Sequence, residues 1–159
     1  MPNHDPVAIA NEFIRLENPR YIPNQMKLQK LVFIANGWNV AISGDPLVDQ
    51  RPEAWDYGPV FREIWDAIRW YGHDSRTKEI LSENGAPSGA KLTSSETDII
   101  EAVWEKYGHH NGRELSDLTH LPGTPLTETF FGKGRNAYIS PQDVGHYYTD
   151  LAASVRDQF

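Results

Sequence analysis

Apolar residues recur at helical spacing in six stretches of the chain, and turn-forming residues mark the ends of most of them. Asp5-Pro6 sets an N-capping side chain before a proline at the first helical position. Val7, Ala10, Phe13 and Ile14 then share a face, and Asn18-Pro19 ends the helix, because the residue before proline is pushed out of the helical region. The second and strongest stretch puts Leu28, Leu31, Val32, Ala35, Trp38 and Ile42 on one face, with Gly44 as C-terminal cap and Pro46 blocking continuation. A third helix opens at Pro59, turns Phe61, Ile64, Trp65, Ile68 and Tyr71 inward and closes at Gly72. Thr93 and Glu96 have capping-box spacing for a helix that buries Ile100, Val103, Trp104 and Tyr107 and ends at Gly108. Asn111 caps a short helix carrying Leu115 and Leu118. Ser140-Pro141 starts the last helix, with Val144, Tyr148, Leu151 and Val155 facing inward.

The segments between read differently. Pro46 to Asp56 is too short and too proline-punctuated for a helix, and Leu47-Val48 is expected to pair with Ala54-Trp55 as a small β-hairpin. His73 to Leu92 is polar, contains Gly85, Pro87 and Gly89, and reads as a mobile loop inside a domain, since both flanks carry incomplete apolar faces. Leu121 to Asn136, with two prolines and three glycines, reads as an ordered loop, and Ala137-Tyr138-Ile139 as a short strand. No helix can bury its face alone. The expectation is therefore a mainly α, compact, bundle-like single domain over residues 1–159, with about five to six helices and a small β-hairpin or short strands.

Composition narrows the function classes. The 159 residues suffice for one core, and 39% apolar with 23% charged residues is a globular mixture. With no cysteine there is no disulfide, thiolate metal site or cysteine nucleophile. The N-terminus lacks a basic segment followed by an apolar stretch, and the longest apolar run, Leu31 to Ala35, is too short to span a bilayer, so a cytoplasmic protein without a membrane partner is expected. A net charge of −7 opposes direct nucleic-acid binding and suits a basic protein partner, although solubility alone also accounts for it.

Candidate chemistry is sparse. Six histidines raise the question of a metal. His109 and His110 are adjacent and point apart on a helix, and no His-Glu-x-x-His pair exists. A metal-dependent hydrolase would have to be assembled from His120, His146 and a distant carboxylate, and surface or structural histidines are the plainer account, so no metal or cofactor is expected. Gly132-Lys133-Gly134-Arg135 offers backbone N–H groups and two cations to an anion, but lacks phosphate-loop spacing, and a solvated turn is the plainer reading. Ser116 and His120, four apart, can meet on a helix. No nucleophile elbow or oxyanion hole accompanies them, and Thr119 and His120 serve more simply to fix a helix end through hydrogen bonds to backbone. Trp55-Asp56-Tyr57-Gly58-Pro59-Val60 sets two aromatics before a tight turn, which either anchors a loop to the core or borders a partner-binding groove. Trp70 falls off its helix's apolar face and is a candidate exposed anchor.

Three segments carry a family likeness: Met26-Lys27-Leu28-Gln29-Lys30-Leu31-Val32-Phe33 with Gly37-Trp38, Glu53 to Val60, and Leu115 to His120 continued by Pro122-Gly123-Thr124-Pro125. In this order and spacing the chain resembles the Panacea, or SocA-like, antitoxin domain, also found among phage-associated proteins; Ile139 to Leu151 is similar to the family's end. The resemblance implies a non-enzymatic antitoxin of a two-gene module, neutralising a cognate toxin by direct binding, the toxin being encoded next door. One branch acts as an adaptor delivering its toxin to an ATP-dependent protease. Lys27, Gln29, Lys30, Trp55, Tyr57, Gly58, Pro59, Thr119 and His120 form the expected family-motif surface. The sequence departs from the family where Pro-Trp is common and Pro125-Leu126 stands here. Some members carry a DNA-binding extension for which this chain has no room, so operator binding is not expected.

Overall fold

The computed structural model describes residues 3–17, 24–70, 79–81, 87 and 89–157, the side chains of Trp70 and of 155–157 excepted. Among these residues the chain forms seven helices: α1 (Pro6–Leu16), α2 (Gln25–Ser43), α3 (Arg62–Trp70), α4 (Ser94–Tyr107), α5 (Gly112–Thr119), α6 (Pro125–Lys133) and α7 (Pro141–Asp157). β1 (Glu53–Trp55) and β2 (Gly58–Val60) form a two-stranded antiparallel sheet. The architecture is the mainly α one with a small hairpin that the apolar periodicity predicts.

Helix α2 is the hub, packed against α1, α3, α4, α5, α7 and β2. Asn24 caps its start, accepting the Lys27 N–H at 2.8 Å, and Gly44 ends it at φ +83, a left-handed conformation that glycine adopts without steric cost. Its expected single apolar face is corrected in two ways. Every residue from Leu28 to Gly37 is buried, Gln29, Lys30 and Asn36 included, whereas Ile42 is 61% exposed. A helix enclosed on all sides must satisfy its polar groups internally. Asn36 Oδ1 accepts the N–H groups of Leu47 (2.8 Å) and Val48 (3.3 Å), and Asn39 Nδ2 donates to Asp45 O (2.8 Å), which pins the chain leaving α2.

That pinning explains why Leu47-Val48 does not pair with Ala54-Trp55. Val48 bridges instead to His4, with His4 N–H donating to Leu47 O and Asp49 N–H to His4 O, both at 2.9 Å. The hairpin is tighter than expected: Glu53 faces Val60, Ala54 faces Pro59 and Trp55 faces Gly58. Pro59 therefore lies in a strand and does not open α3, its missing N–H being tolerated in so short a strand. Helix α3 begins after Phe61, whose N–H donates to Gln29 Oε1 (2.8 Å) and whose carbonyl accepts from Gln29 Nε2 (3.2 Å). The segment 136–139 runs along the other edge of β1: Asn136 N–H donates to Ala54 O (2.7 Å), Ala54 N–H to Ala137 O (2.8 Å) and Ile139 N–H to Pro52 O (2.9 Å).

The three polar caps read from sequence are present, Asp5 on α1, Thr93 with Glu96 on α4 and Asn111 on α5, where Glu114 completes a second capping box. Leu115 is fully buried, but Leu118 is 37% exposed. The expected loop from Leu121 to Asn136 contains α6. Its proline is not a breaker but the first helical residue after the Thr124 cap, and Gly134 terminates it. Leu126, at the departure from the family pattern, is buried. The expected boundaries Asn18-Pro19 and Tyr71-Gly72, and most of His73–Leu92, lie outside the described residues. Within that last segment Ile80 is buried and exchanges two hydrogen bonds with the Asn11 side chain, at 2.7 and 3.0 Å.

Helix α7 closes over α2 through Tyr148, whose ring meets Phe33 at 6.3 Å and Trp38 at 5.6 Å. The approach depends on Gly37, where an added Cβ would fall 2.3 Å from the Tyr148 ring. Gly37→Ala is therefore expected to force the two helices apart despite alanine's better helix propensity, lowering unfolding stability by about 1–3 kcal/mol. Urea denaturation measures this, and a variant as stable as wild type would show that the ring moves aside freely.

Candidate protein-binding face

The three sequence segments meet beneath the hairpin. Lys30 comes from α2, Gly58 from β2 and Thr119 from the end of α5. A Cβ on Gly58 would lie 2.4 Å from Lys30 Cε and 3.0 Å from both Lys30 Nζ and Thr119 Oγ1, and the residue holds φ +124. Space and conformation thus both require glycine there.

The Asp56-Tyr57 turn is held from below by α5. Ser116 Oγ donates to Tyr57 O at 2.6 Å, and His120 Nε2 lies 2.8 Å from Asp56 O. His120 Nδ1 lies 2.7 Å from Ser116 O, the same carbonyl that accepts from Thr119 Oγ1 at 2.7 Å. Ser116 and His120 approach to 3.5 Å, but their shorter contacts all go to backbone carbonyls, so the pair acts as a clamp on the turn. Arg135 adds an ion pair to Asp56 at 2.9 Å. Of the Gly132–Arg135 segment, Lys133 ends α6, and Arg135 is the cation brought to this face.

The turn presents aromatics. Tyr57 is 72% exposed at its tip. Trp55 is half-buried, edge-on to Trp65 at 5.3 Å, and its Nε1 donates to Glu53 Oε1 at 3.1 Å. Arg62 stacks 5.4 Å from the Trp55 ring and grips Glu53 with two hydrogen bonds of 2.9 and 3.0 Å. That grip holds the Glu53 carboxyl below the usual carboxylate range despite its burial. A pocket of about 300 Å³ opens between the turn and the start of α2, lined among others by Lys30, Trp55, Tyr57, Trp65 and Arg135.

Lys30 is the anomaly of the site. It is 1% exposed, and among the described residues its ammonium has one hydrogen bond, to Pro59 O at 3.5 Å. Burial alone pushes its pKa from 10.5 down to about 8. That drop corresponds to about 3 kcal/mol of lost stability at neutral pH.

The other sequence-selected residues divide. Gln29 and Pro59 are buried scaffold, engaged with Phe61 and β1 respectively. Lys27 stands apart: it donates to Glu17 Oε2 (3.0 Å) and Gly108 O (2.8 Å) and lies 5.0 Å from the Trp104 ring, tying α1, α2 and α4 together. The Trp70 side chain lies outside the described residues. Sequence reasoning missed Trp65 and Arg135 as parts of this face. Trp65 reads as core on α3, and Arg135 is 79 residues from its partner Asp56. His146 is exposed on α7, and no group of three or more His, Asp or Glu among the described residues could hold a metal ion.

A clamped turn that displays aromatics beside a pocket suits protein recognition. The family model for the antitoxin SocA-like, Panacea domain matches residues 28–124, more than half of the chain, and the protein belongs to that family. Antitoxin SocA of Caulobacter vibrioides (strain NA1000 / CB15N) is similar, 28% identical over 138 residues that cover 83% of this chain and 73% of that protein. No solved structure matches the chain. Membership supports an antitoxin role and implies a toxin partner. The matched span holds Lys30, the hairpin and α5. No helix among the described residues is long and apolar enough to cross a membrane.

The buried lysine makes a pH-dependent prediction. Between about 8 and 10.5 the folded protein has released the Lys30 proton while the unfolded chain still holds it, so rising pH favours the fold over that window. Lys30→Met is expected to be more stable than wild type at pH 7, with the difference shrinking as pH rises toward 10. Equal stabilities at pH 7 would mean that the ammonium is solvated or paired.

Proposed function

We propose that this protein neutralises a cognate protein toxin by binding it directly through the hairpin face, occluding the toxin's working surface. The observation that carries the reading is the convergence of the three family segments on one clamped turn with Tyr57 at its tip. Binding to a turn already held by Ser116, His120 and Arg135 forfeits little conformational entropy, and an exposed tyrosine on such a support is a hot-spot arrangement. The net charge of −7 favours encounter with a basic partner. In this reading Gln29, Gly58, Pro59 and Thr119 are scaffold, Trp55, Tyr57 and His120 border the interface, and Lys27 acts at a distance through the helix packing. The mechanism needs no catalysis and operates in the cytoplasm, with the toxin encoded by the neighbouring gene.

Co-expression with the neighbouring gene's product tests this, scoring growth and co-purification. Wild type is expected to restore growth and form a stable complex. Tyr57→Ala, which removes no buried contact, is expected to weaken the complex about ten-fold or more while melting like wild type. Growth rescue without a retained complex, abolished in a strain lacking ATP-dependent proteases, would replace occlusion with delivery for degradation. Undiminished affinity in Tyr57→Ala would move the interface off this face.

A further inference from the structure

An ammonium carries three protons, and Lys30 has one weak acceptor for them, at 3.5 Å. No ion pair to it is formed among the described residues, and a well-packed apolar side chain of the same volume would leave the fold more stable. Its place is not a closed core. It forms part of the wall of the pocket of about 300 Å³ although only 1% exposed. The remaining wall is largely apolar, with Met26, Val60 and the Trp55–Trp65 pair. The second cation, Arg135, is already paired with Asp56. One cation without an ion pair, in a largely apolar wall whose other charges, Arg135 and Asp56, pair with each other, matches a monoanion with a short carbon chain. It does not match a phosphate, whose greater charge and additional oxygens demand more donors than one ammonium supplies.

We propose that this pocket is a carboxylate-binding site, in which the Lys30 ammonium receives the carboxylate and the Trp55 and Trp65 rings cover the carbon chain. The ligand is an Asp or Glu side chain of the bound toxin, an assignment that rests on the antitoxin reading, whereas the site itself does not.

The test follows the Lys30 ammonium by NMR in lysine-labelled protein, its resonance assigned by absence from Lys30→Met. N-acetyl-glutamic acid α-amide is titrated as a probe carrying one side-chain carboxylate, with the corresponding glutamine amide as control. The acid is expected to give a saturable change at Lys30 and to raise its titration midpoint above about 8. The amide is expected to do neither. Lys30→Met, with its fold checked by melting temperature, is expected to bind the acid at least ten-fold more weakly. No saturable change up to the probe's solubility, or equal binding of acid and amide, overturns the site. A second arm measures the same midpoint in the toxin complex, where an upward shift identifies the toxin as the source. Binding of the free acid with an unshifted midpoint in the complex keeps the site and assigns it to a free carboxylate, leaving the antitoxin reading to stand or fall on co-expression.

Discussion

Helix α2 is enclosed on nearly every side, and an enclosed helix cannot leave its polar side chains to water. The rest of the structure follows from how those side chains are satisfied. Gln29 supplies the acceptor that the Phe61 N–H lacks in the backbone, and adds a donor to the Phe61 carbonyl that also opens α3 by accepting from Ile64 and Trp65. Asn36 accepts two N–H groups from the chain that leaves α2, and Asn39 holds Asp45. Each acts as a surrogate for backbone, fixing a loop that has no ladder of its own. Truncating one would leave a buried donor or acceptor unmatched, which costs more than the bond contributes when made.

The hairpin shows the same economy in three dimensions. Three residues per strand cannot hold a sheet alone, and β1 and β2 are supported by the 136–139 segment at one edge and by α5 below. At Gly58 the elements α2, β2 and α5 meet, since a Cβ there would crowd both Lys30 and Thr119. Two groups of α2 depart from the rule that its buried polar groups are satisfied: Asn39 Oδ1 has no hydrogen-bond partner among the described residues, and the Lys30 ammonium has one weak acceptor. Stability is given up at Lys30, in a pocket that opens beside the exposed Tyr57.

Much of the fold was legible because its signals are local. Asp5-Pro6, Thr93 with Glu96, Asn111 and Gly44 announce helix ends within a few residues of themselves, and each occurs where expected. The errors arose where a distant partner decides. Pro59 reads as a helix start unless Gln29, 30 positions earlier, is known to hold Phe61. Leu47-Val48 reads as a hairpin strand unless Asn36 and His4 are known to claim it. Helix α6 is hard to see because Pro125 reads as a breaker unless Thr124 before it is recognised as the cap that makes it a first helical residue. At the site, the aromatic turn and its glycine stood out by composition. The clamp by Ser116 and His120, and the contribution of Arg135, are tertiary and leave no local trace.

The central claim is that the clamped hairpin face, and not another surface, meets the partner. A competing surface exists: an apolar cleft of about 740 Å³ lined by Trp38, Ile42, Ile99 and Val103, among others, on the α2–α4–α7 side. Hydrogen–deuterium exchange of the protein alone and in its toxin complex separates the two. The account predicts new protection over 55–58, 116–121 and 134–136, with 95–106 exchanging as in the free protein. Protection confined to 95–106 and the end of α7, with the hairpin unchanged, would contradict it.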